Sequence, residues 1–224
     1  MKTILVTLAL VIMLAAATDA GLAQNVNWRA LRGGQENLLH LGAGYDYGVT
    51  TGLSYGRFVD LGRPVLVGLD LSLPMGGDLL DDFKLRVGAQ AEVVRSAGFS
   101  ATIRVQSNFR RYENALVRIV SFGSDFGLVS GYYAESWYAA GEFGFDKSIT
   151  SHLKHSAAMK RSFPAIRDGW YIPSGGHFYY GVQGGVGLGE SLDLSLRAGA
   201  TNAQGSDENA VLPWYAQLGL GIRF

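Results

Sequence analysis

The chain has 224 residues, with 19 basic and 19 acidic side chains, no cysteine, and charged residues at only 17% of the total. Balanced charge without a basic stripe excludes an electrostatic nucleic-acid binder, and the missing cysteine excludes a disulfide framework or a lipidated cysteine anchor. Hydrophobic residues reach 48% and glycine 31 of 224, whereas an ordinary soluble domain carries about 25% charged residues.

In chain order, Lys2 precedes an uncharged apolar run over residues 3–17, and small residues follow up to Ala20 and Ala23. The pattern predicts a signal peptide over 1–23; an uncleaved anchor helix is the alternative, although the run falls short of the ~20 residues a spanning helix needs. Residues 24–36 hold Trp28, Arg29, Leu31 and Arg32 and read as a flexible lead, or as a turn of amphipathic helix.

From residue 37 onward, apolar and polar residues alternate with the period of two that marks a strand with one greasy face. SLDLSLRAGAT sets Leu192, Leu194 and Leu196 against Asp193, Ser195 and Arg197, and FKLRVGAQAEVV sets Phe83, Leu85 and Val87 against Lys84, Arg86 and Gly88. Strands are expected at 37–47, 51–60, 64–73, 82–94, 98–110, 115–130, 134–147, 177–188, 191–201 and 212–224. Arg57 falls out of phase in the second, and the sixth changes phase near Gly123 as a bulge would. About ten strands result, with eight or twelve as alternatives.

A soluble sandwich or lipocalin-like barrel also alternates, and four features favour the opposite orientation, apolar face outward. Several strands reach the ~9–11 residues of a tilted membrane strand. The polar face prefers Arg to Lys (14 against 5 in the chain), which suits crowded planar pairing. Tyr45, Tyr47, Phe83, Phe109, Phe178, Tyr180 and Trp214 all fall near one end, as an interfacial girdle would. Connections around 61–63, 95–98 and 189–190 are tight, whereas those over 74–81, 148–176 and 202–211 are long; the first connection, Gly48-Val49-Thr50, is a short exception on the long side.

The final segment, YAQLGLGIRF, places Tyr215, Leu218, Leu220, Ile222 and Phe224 in a strictly alternating strand that closes on an aromatic. It resembles the C-terminal assembly signal of Gram-negative outer-membrane β-barrels. That resemblance implies an all-β, closed antiparallel transmembrane barrel over 37–224, with 24–36 as a periplasmic lead, integral in the outer membrane after export. It also implies outer-membrane lipids, lipopolysaccharide included, and the barrel-insertion machinery as partners. Closure has a physical reason of its own: in lipid, every strand edge must be hydrogen-bonded.

Function must then lie in the lumen or the outer loop. His40, Asp46, Asp70, Lys84, Arg86, Glu92, Arg104, Arg110, Glu142, Asp146, Asp193, Arg197 and Arg223 fall on the polar face, and balanced charges in a narrow bore would cross-link opposite walls. The expectation is a structural barrel or narrow, porin-like passive pore with a charged, occluded lumen. The outer loop over 148–176 carries Lys154, Lys160, Arg161 and Arg167 against Asp168, with Trp170 and Tyr171 beside them; these are candidates for lipopolysaccharide phosphates or another anionic partner, as in a loop-based binder or adhesin. Ser151 would cap a short helix ending before Pro164, with His152 and His155 sharing its face. An outer-rim enzyme acting on lipids or peptides is the alternative, with Ser174, His177 and Asp168 the nearest approach to a hydrolytic cluster. Neither a metal site nor a cofactor is expected: there is no ligand spacing of the usual kind, and the Gly184–Gly187 run lies within a strand with no following helix.

Overall fold

The computed structural model describes residues 26–29, 35–45, 48–76, 79–173, 175–204 and 213–224. The expected signal peptide, most of the lead, and Asp46, Tyr47 and Ser174 lie outside them. The alternating segments form β1 (Asn37–Tyr45), β2 (Val49–Asp60), β3 (Pro64–Pro74), β4 (Asp82–Ser96), β5 (Phe99–Glu113), β6 (Val117–Tyr133) and β7 (Trp137–His155). A short helix, α1 (Ala157–Ser162), then precedes β8 (Gly169–Tyr171), β9 (His177–Gly187), β10 (Leu192–Ala203) and β11 (Trp214–Arg223).

Ten of these strands close a ring in the order β1-β2-β3-β4-β5-β6-β7-β9-β10-β11, every pair antiparallel, with β11 returning to β1. β8 stands outside the ring, adding to β7 above the end of β9 through Ser151↔Tyr171 to Leu153↔Gly169. The fold is therefore an all-β closed barrel. Its seam is tied off at the chain end, where the amides of Asn37 and Phe224 each donate to the other's carbonyl at 2.9 Å.

The two faces of every strand have opposite chemistry. His40, Ser54, Asp70, Arg104, Glu142, Ser195, Arg197 and Gln217 are buried inside, whereas Val67, Val105, Phe126, Leu128, Phe143, Val182, Leu196 and Leu218 are exposed outside. A lipocalin-like barrel would bury the apolar set and show water the polar one, so the apolar-in alternative is excluded. The outside aromatics pair as a girdle: Tyr45 stacks on Trp214 at 4.3 Å, and Phe145 lies 4.7 Å from Phe178.

One end of the barrel carries the tight connections. Ala97 and Gly98 both have positive φ, 47° and 88°, the primed geometry that matches strand twist in two-residue hairpins. The other end carries the longer ones, together with the three-residue connection 114–116 between β5 and β6.

The outer connection is shorter than the sequence suggests, because β7 runs on to His155. The register shifts between Phe122↔Thr150 and Gly123↔Ser148, leaving Ile149 as the extra residue of a bulge. The break in alternation was readable near Gly123, but the inserted residue lies on β7; beyond it the pattern resumes in inverted phase and so looks like loop. A second bulge at Val93 interrupts β4 between Glu92↔Thr102 and Val94↔Ala101. Arg57 faces outward and pairs with Glu36 at 3.0 Å, both exposed.

Candidate functional site

The lumen is filled at two levels. At the end with tight turns, Trp28 is 2% exposed and belongs to an apolar cluster with Val26, Leu38, Leu66, Val129, Tyr133 and Tyr138. Its ring meets Phe58 of β2 edge-on at 5.8 Å. Asn27 Nδ2 donates to the Ala134 carbonyl at 2.9 Å, and Arg29 reaches the Tyr133 carbonyl. Residues 26–29 thus span the mouth from β2 to the β6–β7 turn. A flexible lead does not describe them, and the reason is elementary: an indole exposed at an open mouth loses favourable burial that this pocket supplies.

Mid-barrel, a polar belt crosses the bore. Arg104 of β5 pairs with Asp125 of β6 at 3.3 Å. The Tyr179 hydroxyl donates to the same Asp125 oxygen at 3.0 Å and accepts from Arg104. Arg197 of β10 donates from Nε to Glu142 Oε1 at 2.6 Å, and Tyr215 of β11 donates to that oxygen, also at 2.6 Å. The Arg197 guanidinium lies 5.5 Å from the Tyr179 ring centroid and 4.7 Å from that of Tyr215, joining the two halves. Contacts therefore run unbroken from β5 to β11, which lie five strands apart in the ring of ten.

Glycines opposite these rings make the belt possible. A methyl group at Gly144 would overlap the Tyr179 ring, and one at Gly199 would overlap Tyr215. Side chains of ordinary size at both positions would displace the tyrosines from their carboxylates.

The remaining charges pair more locally than cross-linking of opposite walls would require. Asp70 meets Arg86 at 3.3 Å with Ser54 donating to it, Asp82 holds Arg110 in a two-point contact at 2.9 Å, and Asp193 meets Arg223 at 2.7 Å. Each of these joins neighbouring strands, whose facing side chains are already within reach. Glu92 turns to Arg95 at 2.6 Å and to Ser100, so it belongs to the turn end. Lys84 does reach further, to Asp146 of β7 at 2.5 Å, with Asn108 alongside at 2.7 Å. His40 is buried against Ser195 at 3.1 Å. Asp46 is outside the described residues.

Several members of this network were not among the sequence candidates. Asp125 sat in the stretch of doubtful phase, Asp82 opens its strand, and Tyr179 lay in the polar alternation without a charge to mark it. Tyr215, assigned to the assembly signal, faces the lumen, while Leu218 and Ile222 face outward and Leu220 is half-buried; its phase, opposite to theirs, was the available signal.

The outer segment does not form one basic patch. Lys154 lies on β7, and Lys160 is engaged by Asp168 at 2.5 Å. Asp168 also accepts from the His155 amide at 2.9 Å and lies 3.1 Å from its ring. The His155 amide above all, with the Lys160 ammonium, holds the Asp168 carboxyl well below the usual carboxylate range. Arg161 and Arg167 are exposed, and Tyr171 donates to the Arg167 carbonyl at 2.8 Å. The helix is capped by Ser156 rather than Ser151, because Ser151 is still in β7 and bonds Ser121 at 2.8 Å. His152 and His155 accordingly lie on opposite faces of a strand, His152 against Trp170 at 5.0 Å. Of the Ser174–His177–Asp168 grouping, Ser174 lies outside the described residues, Asp168 is committed to His155 and Lys160, and His177 stands opposite Asp146 in the sheet.

No family profile and no curated protein matches the sequence. Among solved structures, the outer membrane protease OmpT from Escherichia coli is similar with a TM-score of 0.42 and 10% identity, over 85% of this chain and 94% of that one. CymD, a monoaromatic hydrocarbon channel, is similar with a TM-score of 0.32 and 9% identity, over 93% of this chain and 94% of that one.

Proposed function

We propose that this chain is an integral outer-membrane β-barrel with a closed bore, a structural wall component and not a diffusion channel. The observation that carries the reading is the belt Asp125–Arg104–Tyr179–Arg197–Glu142–Tyr215, which carries paired charges and tyrosines across the bore from β5 to β11. The Trp28 cluster at the tight-turn end is a second closure. Membrane residence is supported by a continuous exposed apolar band with aromatics at its rim, as lipid requires, since soluble monomers rarely expose apolar patches beyond a few hundred Å².

Two assays test this reading. The full chain should be extracted only by detergent and migrate differently on gels before and after boiling; recovery as a water-soluble monomer would remove the membrane assignment. Vesicles carrying the folded chain should retain small sugars as well as empty vesicles do, and sugar leakage would remove the closed bore. A rim hydrolase is the second reading, favoured by the His155–Asp168 pair on the outer segment. Lipid or peptide turnover abolished by His155→Ala would replace the structural role with that one.

A further inference from the structure

The outer wall over β5–β7 carries an arrangement that closure of the barrel does not use. β7 continues nine residues past Asp146, where its pairing with β9 ends, so this wall rises above its neighbours. On its outer face, Phe83, Phe109, Phe122 and Trp170 form a ladder of rings at 5.6, 5.1 and 6.2 Å. Trp170 belongs to β8, which places it beside Phe122. Such rings mark the level of the lipid–water boundary.

On the same face Arg111 stands level with Phe83, its partner across β4 and β5, and Arg118 and Lys154 stand above the ladder. Arg118 and Lys154 are directly opposite each other across β6 and β7. Glu113 receives Arg118 at 2.7 and 2.8 Å and also engages Arg111, while Arg111 donates to the Leu80 carbonyl at 2.6 Å. Both guanidinium groups are therefore held in place on the wall. Lys154 is exposed and has no ion pair among the described residues, whereas Lys147, opposite Ser124, lies below Phe122 and outside this group. Against Arg111, Arg118 and Lys154, Glu113 and the nearby Asp81 leave a net positive charge of one at headgroup height.

We infer that this wall is a docking site for a phosphorylated glycolipid of the outer leaflet, its phosphates on Arg111, Arg118 and Lys154 and its acyl chains along the phenylalanine ladder. The inference rests on the membrane reading above. It moves the anionic contact away from Lys160, Arg161 and Arg167 and onto the barrel wall. Charge complementarity selects the occupant: cations at and above an aromatic boundary match a headgroup that is anionic and joined to hydrocarbon, and Arg binds phosphate through a planar fork.

The experiment uses the full chain purified in detergent, shown by heat-modifiable migration to be a folded barrel, and titrated with diphosphorylated lipid A and with its dephosphorylated form. Binding should require the phosphates and weaken in high salt. Lys154→Gln, which removes a charge outside every ion pair described, should weaken binding about fivefold at low salt, and Arg118→Gln with Lys154→Gln about thirtyfold. Arg57→Gln, an outward cation at the opposite end, should leave it unchanged. Equal affinity for the dephosphorylated lipid, or an unaltered Lys154→Gln protein, overturns the site while leaving the membrane reading intact. A wild-type chain that is not heat-modifiable overturns the membrane reading and this site with it.

Discussion

Glu142 is the point at which the central belt is most vulnerable. It is 6% exposed, and its Oε1 accepts from both Arg197 and Tyr215 at 2.6 Å. Glu142→Leu leaves the buried Arg197 uncompensated, at a cost of about 3–5 kcal/mol for a broken buried pair. It also strands the Tyr215 hydroxyl, for about 1–3 kcal/mol more. Arg197→Leu leaves Glu142 charged but still holding Tyr215, so its loss should be smaller, about 3 kcal/mol. The double variant Glu142→Leu, Arg197→Leu leaves no buried charge at this point, only an unpaired hydroxyl. It should therefore be more stable than Glu142→Leu alone, with a coupling of at least about 2 kcal/mol between the two positions. Urea unfolding in lipid vesicles, followed by tryptophan emission, reads all four corners of the cycle. Single variants within about 1 kcal/mol of wild type, combining additively, would refute a dry, interlocked belt and indicate a bore wet enough to solvate each charge by itself.

Four other outcomes follow from the same geometry. Trp28→Ala removes a fully buried indole, ordinarily a loss of about 3–5 kcal/mol, yet the cost is capped by undocking of residues 26–29; the barrel should stay heat-modifiable while trypsin gains access to Arg29. Gly144→Val drives a side chain into Tyr179 and should lower the unfolding midpoint more than Gly48→Val, whose site is open. Leu196→Arg, on the exposed apolar face, should cost about 2–4 kcal/mol if it sits at the bilayer midplane, measured by the same unfolding assay. Asp168, whose carboxyl is depressed by the His155 amide and Lys160, stabilises the outer segment above the ordinary carboxylate pKa of about 3.9. That contribution is lost as pH falls through its lower folded value, so hydrogen exchange across residues 156–171 should accelerate only in strong acid, and at neutral pH in Asp168→Asn.

How far the sequence carries the fold can be traced residue by residue. Strands such as β10 and β11 were legible because lipid and lumen demand opposite chemistry from successive side chains, leaving a period of two that nothing local disturbs. β7 was truncated in that reading because Ile149 inverts the period midway, and inverted alternation in a stretch rich in Ser, His and Lys resembles a loop. Part of the lumen's membership was legible from phase, since His40, Arg104, Glu142 and Arg197 all point inward, but Asp125, Tyr179 and Tyr215 were not assigned to it and the pairings were not readable. Arg104 meets Tyr179 and Glu142 meets Tyr215 three strands away around the ring, and such distances depend on bore width and stagger, which no single strand encodes. Gly144 illustrates the same limit: alternation reads it as an empty polar position, and only the closed barrel reveals the ring that needs the space. Trp28 sat in a segment without periodicity, so its burial left no trace in the pattern.

The most direct test of the closed bore is ion current through planar bilayers holding the folded full chain at neutral pH. The belt from β5 to β11 and the Trp28 cluster predict a silent membrane. Steady, reproducible current steps from the wild-type protein would contradict the account.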